Sequence, residues 1–176
     1  MIIIIVMIRA EQTDDIAAIQ EINRLAFAQE EEALLVQRIR ESPGFIPDLS
    51  LVAIKDEKVA GHILFSRIHI ETPQGDVEVL SLAPMAVRPE FQNSGIGSDL
   101  VREGLKRCRD LDHTIVVVIG HPEYYPRFGF VPARKKGLEL NFPVPGEAFM
   151  VCELAPDALA GIKGTVKYPP EFEDVT

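Results

Sequence analysis

The stretch from Leu80 to Leu100 carries the residue types and spacing best suited to chemistry. It runs Leu80-Ser81-Leu82-Ala83-Pro84-Met85-Ala86-Val87, then Arg88-Pro89-Glu90-Phe91-Gln92-Asn93-Ser94-Gly95-Ile96-Gly97-Ser98, then an amphipathic segment. An apolar strand thus enters a polar, glycine-bearing turn that opens a helix. The first N–H groups of a helix have no intrahelical acceptor, so such a turn is a ready site for a phosphate group. Gly95 and Gly97 let the main chain come close to a bulky anion. The expected ligand bears phosphate and is held mainly by backbone.

What is missing narrows the ligand. A Walker A loop needs Lys and then Ser or Thr after its last glycine, whereas Gly97 is followed by Ser98 and Asp99. A dinucleotide fingerprint needs a third small residue where this chain has Leu100, and no βαβ unit opens the sequence. Pro84 lies inside an otherwise central-looking strand, where it removes a ladder donor. That strand is expected to part from one neighbour and leave a cleft beside it.

Val87-Arg88-Pro89 followed by Gln92-Asn93-Ser94-Gly95-Ile96-Gly97 resembles motif A of the GNAT superfamily of N-acetyltransferases. There a strand ending in Val-x-Pro precedes Gln/Arg-x-x-Gly-x-Gly/Ala. The resemblance covers most of the chain from Met7 to Pro132. It implies an α/β fold of the α+β type: a mixed, mostly antiparallel central sheet of about six to seven strands, flanked by helices and splayed between strands four and five. It also implies acetyl-coenzyme A (acetyl-CoA) as co-substrate. The pantetheine would pair with the backbone around Met85, Ala86 and Val87 like an added strand. The pyrophosphate would lie over Gln92, Asn93, Ser94, Gly95, Ile96, Gly97 and Ser98. A backbone N–H near Met85 would polarise the acetyl carbonyl. The implied acceptor is a primary amine, on a small molecule or a peptide, that attacks directly.

A second constellation, His121-Pro122-Glu123-Tyr124-Tyr125-Pro126-Arg127-Phe128-Gly129-Phe130, is similar to the family's Tyr-x-x-x-Gly-Phe segment. The resemblance places Tyr125 where many members have the acid that protonates the departing thiolate. A phenol, neutral at pH 7, is suited to that task. Tyr125 is otherwise a packing residue of the pantetheine channel, and Tyr124 is the rival acid. Pro126 departs from the usual residue and is expected to keep the short helix from being regular.

The general base is not legible. Glu30, Glu31 and Glu32 fall where the family's acceptor-binding helix pair opens, but a charge run also reads as a solvated helix start. Ser81 and Glu78 on the central strand are weak candidates, as is His121. His62, His69, His113 and His121 show no metal-ligand spacing, and no metal is expected. Two other functions fit the same motifs: a non-catalytic acyl-CoA binder that regulates a partner, and a transferase of a longer acyl group.

The elements that must position these residues follow from pattern. A first strand is expected near Ile3 to Ala10. Thr13 is expected to cap a helix from Asp14 to about Phe27, with Ile16, Ile19, Leu25 and Ala26 inward. A second helix runs from Glu31 to Glu41 with Leu34, Leu35 and Ile39 buried, and Pro43-Gly44 ends it. Leu51 to Lys55 and Val59 to Ile70 form a hairpin around Asp56-Glu57-Lys58. Val77 to Val87 is the next strand. The helix from Gly95 to Asp110 has Ile96, Leu100, Val101, Leu105 and Cys108 at helical spacing. Thr114 to Ile119 lacks alternation and reads as a strand buried on both faces. Ala148 to Leu154 is a strand, Pro156 to Ala160 a short helix and Thr165 to Tyr168 an edge strand. The loop Asn141 to Gly146 is placed to border the acceptor site. The acidic tail after Pro169 reads as loose.

Composition fits one soluble domain spanning 1–176, with the part from 133 onward the least defined. Hydrophobic residues make up 47% of the 176, and the net charge is −9. So acidic a chain is a poor nucleic-acid binder; its charge either serves solubility alone or mildly attracts a cationic acceptor. Cys108 and Cys152 have no metal or disulfide spacing, and Cys108 reads as core. The apolar start Met1 to Val6 is too short to span a membrane and lacks a signal-peptide pattern. It either extends the first strand or precedes a start at Met7. A cytoplasmic location follows by default, and a homodimer is left open.

Overall fold

A computed structural model describes residues 6–173, so the expected strand residues Ile3, Ile4 and Ile5 lie outside the described part. Twelve elements follow in chain order: β1 (Met7–Ala10), α1 (Ile16–Phe27), α2 (Glu31–Arg40), β2 (Ser50–Lys55), β3 (Lys58–Thr72), β4 (Gly75–Val87), α3 (Ile96–Asp110), β5 (Ile115–Ile119), β6 (Val131–Pro132), β7 (Leu138–Leu140), β8 (Phe149–Glu153) and β9 (Gly164–Lys167). The strands form one sheet in the order β1-β2-β3-β4-β5-β8-β6, with β9 paired to β3 and β7. Pairing is antiparallel except between β4 and β5 and between β7 and β9. The mixed, mostly antiparallel sheet with flanking helices is therefore the architecture expected from the sequence.

The β2–β3 turn consists of Asp56 and Glu57, both in the left-handed region at φ 51 and 63. Two such residues give a hairpin turn whose twist matches the strands it joins. The apolar stripe of α3 packs Leu100, Val101, Leu105 and Cys108 against Phe65 and Leu80 of the sheet. Leu35, Val36 and Ile39 of α2 and Ile19 of α1 pack with Val52 and Leu64.

Several local expectations are corrected. Among the described residues the sheet has nine strands, two of which, the two-residue β6 and three-residue β7, carry no periodic signal of their own. Gln12, not Thr13, caps the first helical turn; the Asp15 carboxylate accepts the Gln12 N–H at 2.7 Å, an arrangement that Arg9 reinforces at 2.6 Å. Leu25 and Leu34 are 47% and 41% exposed, whereas Ile22 and Val36 are buried. The apolar stripe is rotated relative to the one expected, because Ile19 of α1 and Leu35, Val36 and Ile39 of α2 are the positions that pack against the sheet. Pro156 to Ala160 is a run of turns rather than a helix. β9 is paired on both sides, so the edge position belongs to β7. The tail up to Glu173 is docked: Phe172 packs on Tyr168 at 4.9 Å between ring centres, and Arg38 donates to the Glu173 carbonyl at 3.4 Å.

Between α1 and the sheet lies a buried polar chain. His62 Nε2 is 3.0 Å from Ser50 Oγ, and His62 Nδ1 is 3.4 Å from the Asn23 amide. Ser50 Oγ donates to Glu11, which Arg40 holds through contacts of 3.0 to 3.1 Å. Burial first, and the Arg40 charge second, push His62 from an ordinary 6.5 down to about 3. The unfolded chain therefore takes up this proton before the folded one does. Stability is expected to fall as pH drops from 6.5 towards 3, by a few kcal/mol from this group alone. Urea unfolding of the parent and of His62→Gln across that range checks this. The variant should show the shallower decline, and parallel declines would contradict the assignment.

Candidate functional site

Pro84 acts on the sheet as the sequence suggests. β4 and β5 pair only through Leu80 with Val116 and Ser81 with Val117. On the other side, the β3–β4 register slips between Ile63 and Phe65, so that Ala83 and Pro84 bulge opposite Leu64. Beyond Ser81 the two parallel strands separate. Among the described residues, the β5-facing edge of β4 from Leu82 to Val87 then has no partner strand.

The separation opens a cleft of about 1560 Å³. That exceeds the roughly 300–1,000 Å³ of most small-molecule pockets, leaving room for a long ligand and a second reactant together. Leu82 to Val87 form one wall, and Phe91 to Ser98, except Ser94, form the next. Ile119 to His121, Tyr124, Tyr125 and Arg127 face them from the end of β5 and the turn after it. Asn141 to Pro145, Tyr168 and Phe172 close the far side together with Gln29, Glu32 and Leu35.

Nine of the ten residues expected around the co-substrate therefore line this cleft: Met85, Ala86, Val87, Gln92, Asn93, Gly95, Ile96, Gly97 and Ser98. Ser94 does not, and its hydroxyl instead donates to the Phe91 carbonyl inside the turn. Gln92 Nε2 donates to the Val87 carbonyl at 3.0 Å, tying the turn to the end of β4. Gly95 is left-handed at φ 89 and caps α3, a conformation that favours glycine. The first backbone bond of α3 runs from the Asp99 N–H to the Gly95 carbonyl at 3.0 Å. The N–H groups of Ile96, Gly97 and Ser98 consequently precede any intrahelical acceptor, and all three residues line the cleft.

Tyr124 and Tyr125 both reach the cleft but differ in setting. Pro126 leaves only a 3-10 turn over Tyr125–Phe128, as its ring requires. Tyr125 is 8% exposed and packs edge-on against Phe130 at 5.6 Å. Burial, with the neighbouring Tyr124 second, pushes its phenol above the ordinary range, so it remains protonated at neutral pH. Tyr124 is half-buried, and its hydroxyl lies 3.0 Å from Ser98 Oγ at the start of α3. Arg127 stacks over the Tyr124 ring at 4.7 Å, adding positive charge at the same end of the cleft.

The weaker candidates separate cleanly. Glu32 is 5% exposed and lines the cleft. Glu30 pairs with Arg24 at 2.7 Å on the surface, Glu78 pairs with Arg67 at 3.6 Å, and neither reaches the cleft. Glu31 is likewise outside it, and Ser81 is fully buried at the point where β4 and β5 part. His121 lines the cleft and is exposed. Burial pushes the Cys108 thiol up to about 12 and raises that of Cys152, so neither is a thiolate nucleophile near neutral pH. Tyr168 and Phe172 are cleft residues that sequence reasoning missed. Tyr168 ends the strand expected at an edge and Phe172 lies in the tail read as loose, and only the folded chain brings both to the cleft. Among the described residues no group of His, Cys, Asp or Glu is placed to hold a metal ion. No helix among them is long and apolar enough to cross a membrane.

Comparison with known proteins places this geometry among relatives. Residues 7–133 match the family model described as an acetyltransferase (GNAT) domain. The uncharacterized N-acetyltransferase YhbS of Escherichia coli is 36% identical over 167 residues, covering 94% of this chain and 98% of that protein. The uncharacterized N-acetyltransferase YjhQ of the same organism is 40% identical over 134 residues, covering 76% of this chain and 74% of its own length. The crystal structure of Escherichia coli YhbS in complex with CoA superimposes with a TM-score of 0.91 at 33% identity, over 99% of this chain and 95% of that one. A GNAT acetyltransferase from Brucella melitensis in complex with acetyl-CoA gives 0.78 at 30% identity, over 96% and 99% of the two chains.

Proposed function

This chain belongs to the GNAT family of acetyltransferases, and we propose that it moves an acetyl group from acetyl-CoA to a primary amine within the cleft beside β4. One observation carries the reading. Among the described residues, the edge of β4 from Leu82 to Val87 that faces β5 is unpaired and leads into a turn whose residues, with the first N–H groups of α3, line the same cleft. A strand edge followed by an amide cradle fits a ligand with an amide-bearing arm at one end and phosphates at the other.

The chain's residues suit that ligand. The N–H groups of Ile96, Gly97 and Ser98 hold the pyrophosphate, and the α3 dipole adds to the attraction. The main chain of Met85 and Val87 pairs with the pantetheine amides, and a backbone N–H near Met85 donates to the acetyl oxygen as charge develops there. Acetyl-CoA supplies an activated carbonyl and a sulfur leaving group. Tyr125, a phenol and so protonated at neutral pH, gives that sulfur its proton. The buried, protonated cysteines favour direct attack by the amine over a covalent enzyme intermediate.

Titration calorimetry with acetyl-CoA, followed by thiol release with and without added amines, tests the proposal. Saturable binding and amine-dependent thiol release are expected. Absence of binding by the folded protein would overturn it.

A further inference from the structure

Glu32 is a buried carboxylate without a cation. It is 5% exposed, and among the described residues no Arg, Lys or His approaches it within ion-pair distance. Its contact is the Gln29 amide, which donates to both carboxylate oxygens, the second at 3.0 Å, and fixes their direction. A neutral amide orients a carboxylate without balancing its charge, and buried charges are ordinarily paired. Glu32 and Gln29 both line the cleft.

The cleft that Glu32 lines also carries a row of aromatic rings. Phe142 meets Tyr168 at 5.9 Å, and Tyr168 meets Phe172 at 4.9 Å, all edge-on. Phe172 packs onto the cluster that holds Leu35 and Val36, one helical turn beyond Glu32 on α2. Phe27 adds a fourth ring at the end of α1. The cleft is thus polarised. Arg127 and the start of α3 give one end positive character, while the acidic groups that line the other end are Glu32 and Glu173. An anion belongs at the first end and a cation at the second. Aromatic faces beside a carboxylate attract a desolvated ammonium group, and they also bury an apolar body.

Resting on the acetyl-transfer reading above, we propose that the acceptor is a monocationic arylalkyl or alkyl amine, its nitrogen arriving as the ammonium on Glu32, to which it passes one proton before the neutral amine attacks, and its apolar body between Phe142, Tyr168 and Phe172. An amine carrying its own carboxylate is disfavoured, because its second charge would enter an acidic, aromatic pocket. Glu32 is here a specificity-determining residue.

The test uses phenethylamine as probe, with phenylalanine, which has the same ring and amine plus a carboxylate, as its counterpart. Binding is measured by calorimetry on the CoA-loaded protein, and thiol release from acetyl-CoA is followed in parallel. Phenethylamine is expected to bind and to be used, with kcat/KM at least about tenfold above that for phenylalanine. Glu32→Gln should lower phenethylamine binding and kcat/KM at least about tenfold while leaving acetyl-CoA affinity within about twofold. Phe142→Ala, on a loop away from the core, should weaken phenethylamine binding and covers the case in which Glu32→Gln folds poorly. Equal use of the two amines, preference for phenylalanine, or unchanged phenethylamine binding in both variants overturns the proposal. Those outcomes leave acetyl transfer standing, whereas failure to bind acetyl-CoA removes both readings together.

Discussion

Replacing Gly97 with valine is expected to lower the affinity for acetyl-CoA by about a hundredfold or more. Gly97 occupies the first turn of α3, where its N–H is free, and lines the cleft. A Cβ there would already lie 3.3 Å from the Met85 methyl and 3.4 Å from the Tyr124 hydroxyl. The two γ-methyl groups of valine would push further into the space that phosphate oxygens need. Losing two charged hydrogen bonds of about 1.5 kcal/mol each accounts for the hundredfold estimate. Helix propensity works in the opposite direction, since valine is a better helix former than glycine. The melting temperature should therefore hold or rise while binding collapses, and calorimetry with an unfolding scan separates the two. Affinity equal to that of the parent would show that α3 does not cradle the phosphates.

Tyr125→Phe should lower kcat by about 10²–10⁴-fold with little change in acetyl-CoA affinity. The ring packs on Phe130 and lies against Gly120, contacts that phenylalanine keeps. Only the proton donor is removed. Tyr124→Phe provides the contrast. Its hydroxyl meets Ser98 at the start of α3, so its loss should weaken acetyl-CoA binding more than it slows the chemical step. Turnover of Tyr125→Phe within about twofold of the parent, with amine saturating and chemistry rate-limiting, would remove Tyr125 from the acid role.

Local rules made the part of the cleft formed by β4 and the start of α3 readable in advance. Pro84 cannot sit unremarked in a central strand, and the β4–β5 pairing indeed ends three residues before it. Gly95 and Gly97 mark the helix start because backbone freedom and close approach are properties of single residues. The part lined by α2 and the tail was less legible. Glu32 stood among three consecutive glutamates, and only burial distinguishes it from the surface-paired Glu30. Tyr168 and Phe172 reach the cleft through β9, a strand whose partners β3 and β7 lie far from it in sequence. Such pairing leaves no local trace. The misplaced inward positions Leu25 and Leu34 have the same origin. Helical spacing finds an apolar stripe, but the neighbour that covers it is set by tertiary structure.

The central claim is acetyl transfer to an amine nitrogen in the cleft beside β4. Its most direct test is to incubate the protein with acetyl-CoA and a pooled set of primary amines, spanning alkyl, arylalkyl, amino-acid and peptide N-terminal classes, and to follow products by mass spectrometry. The expected result is at least one amine heavier by a single acetyl group, formed in step with free CoA, and lost when Tyr125→Phe replaces the parent. Tight acetyl-CoA binding with no acetylated amine, and thiol release no faster than spontaneous hydrolysis, would contradict the account and leave a CoA-binding protein in its place.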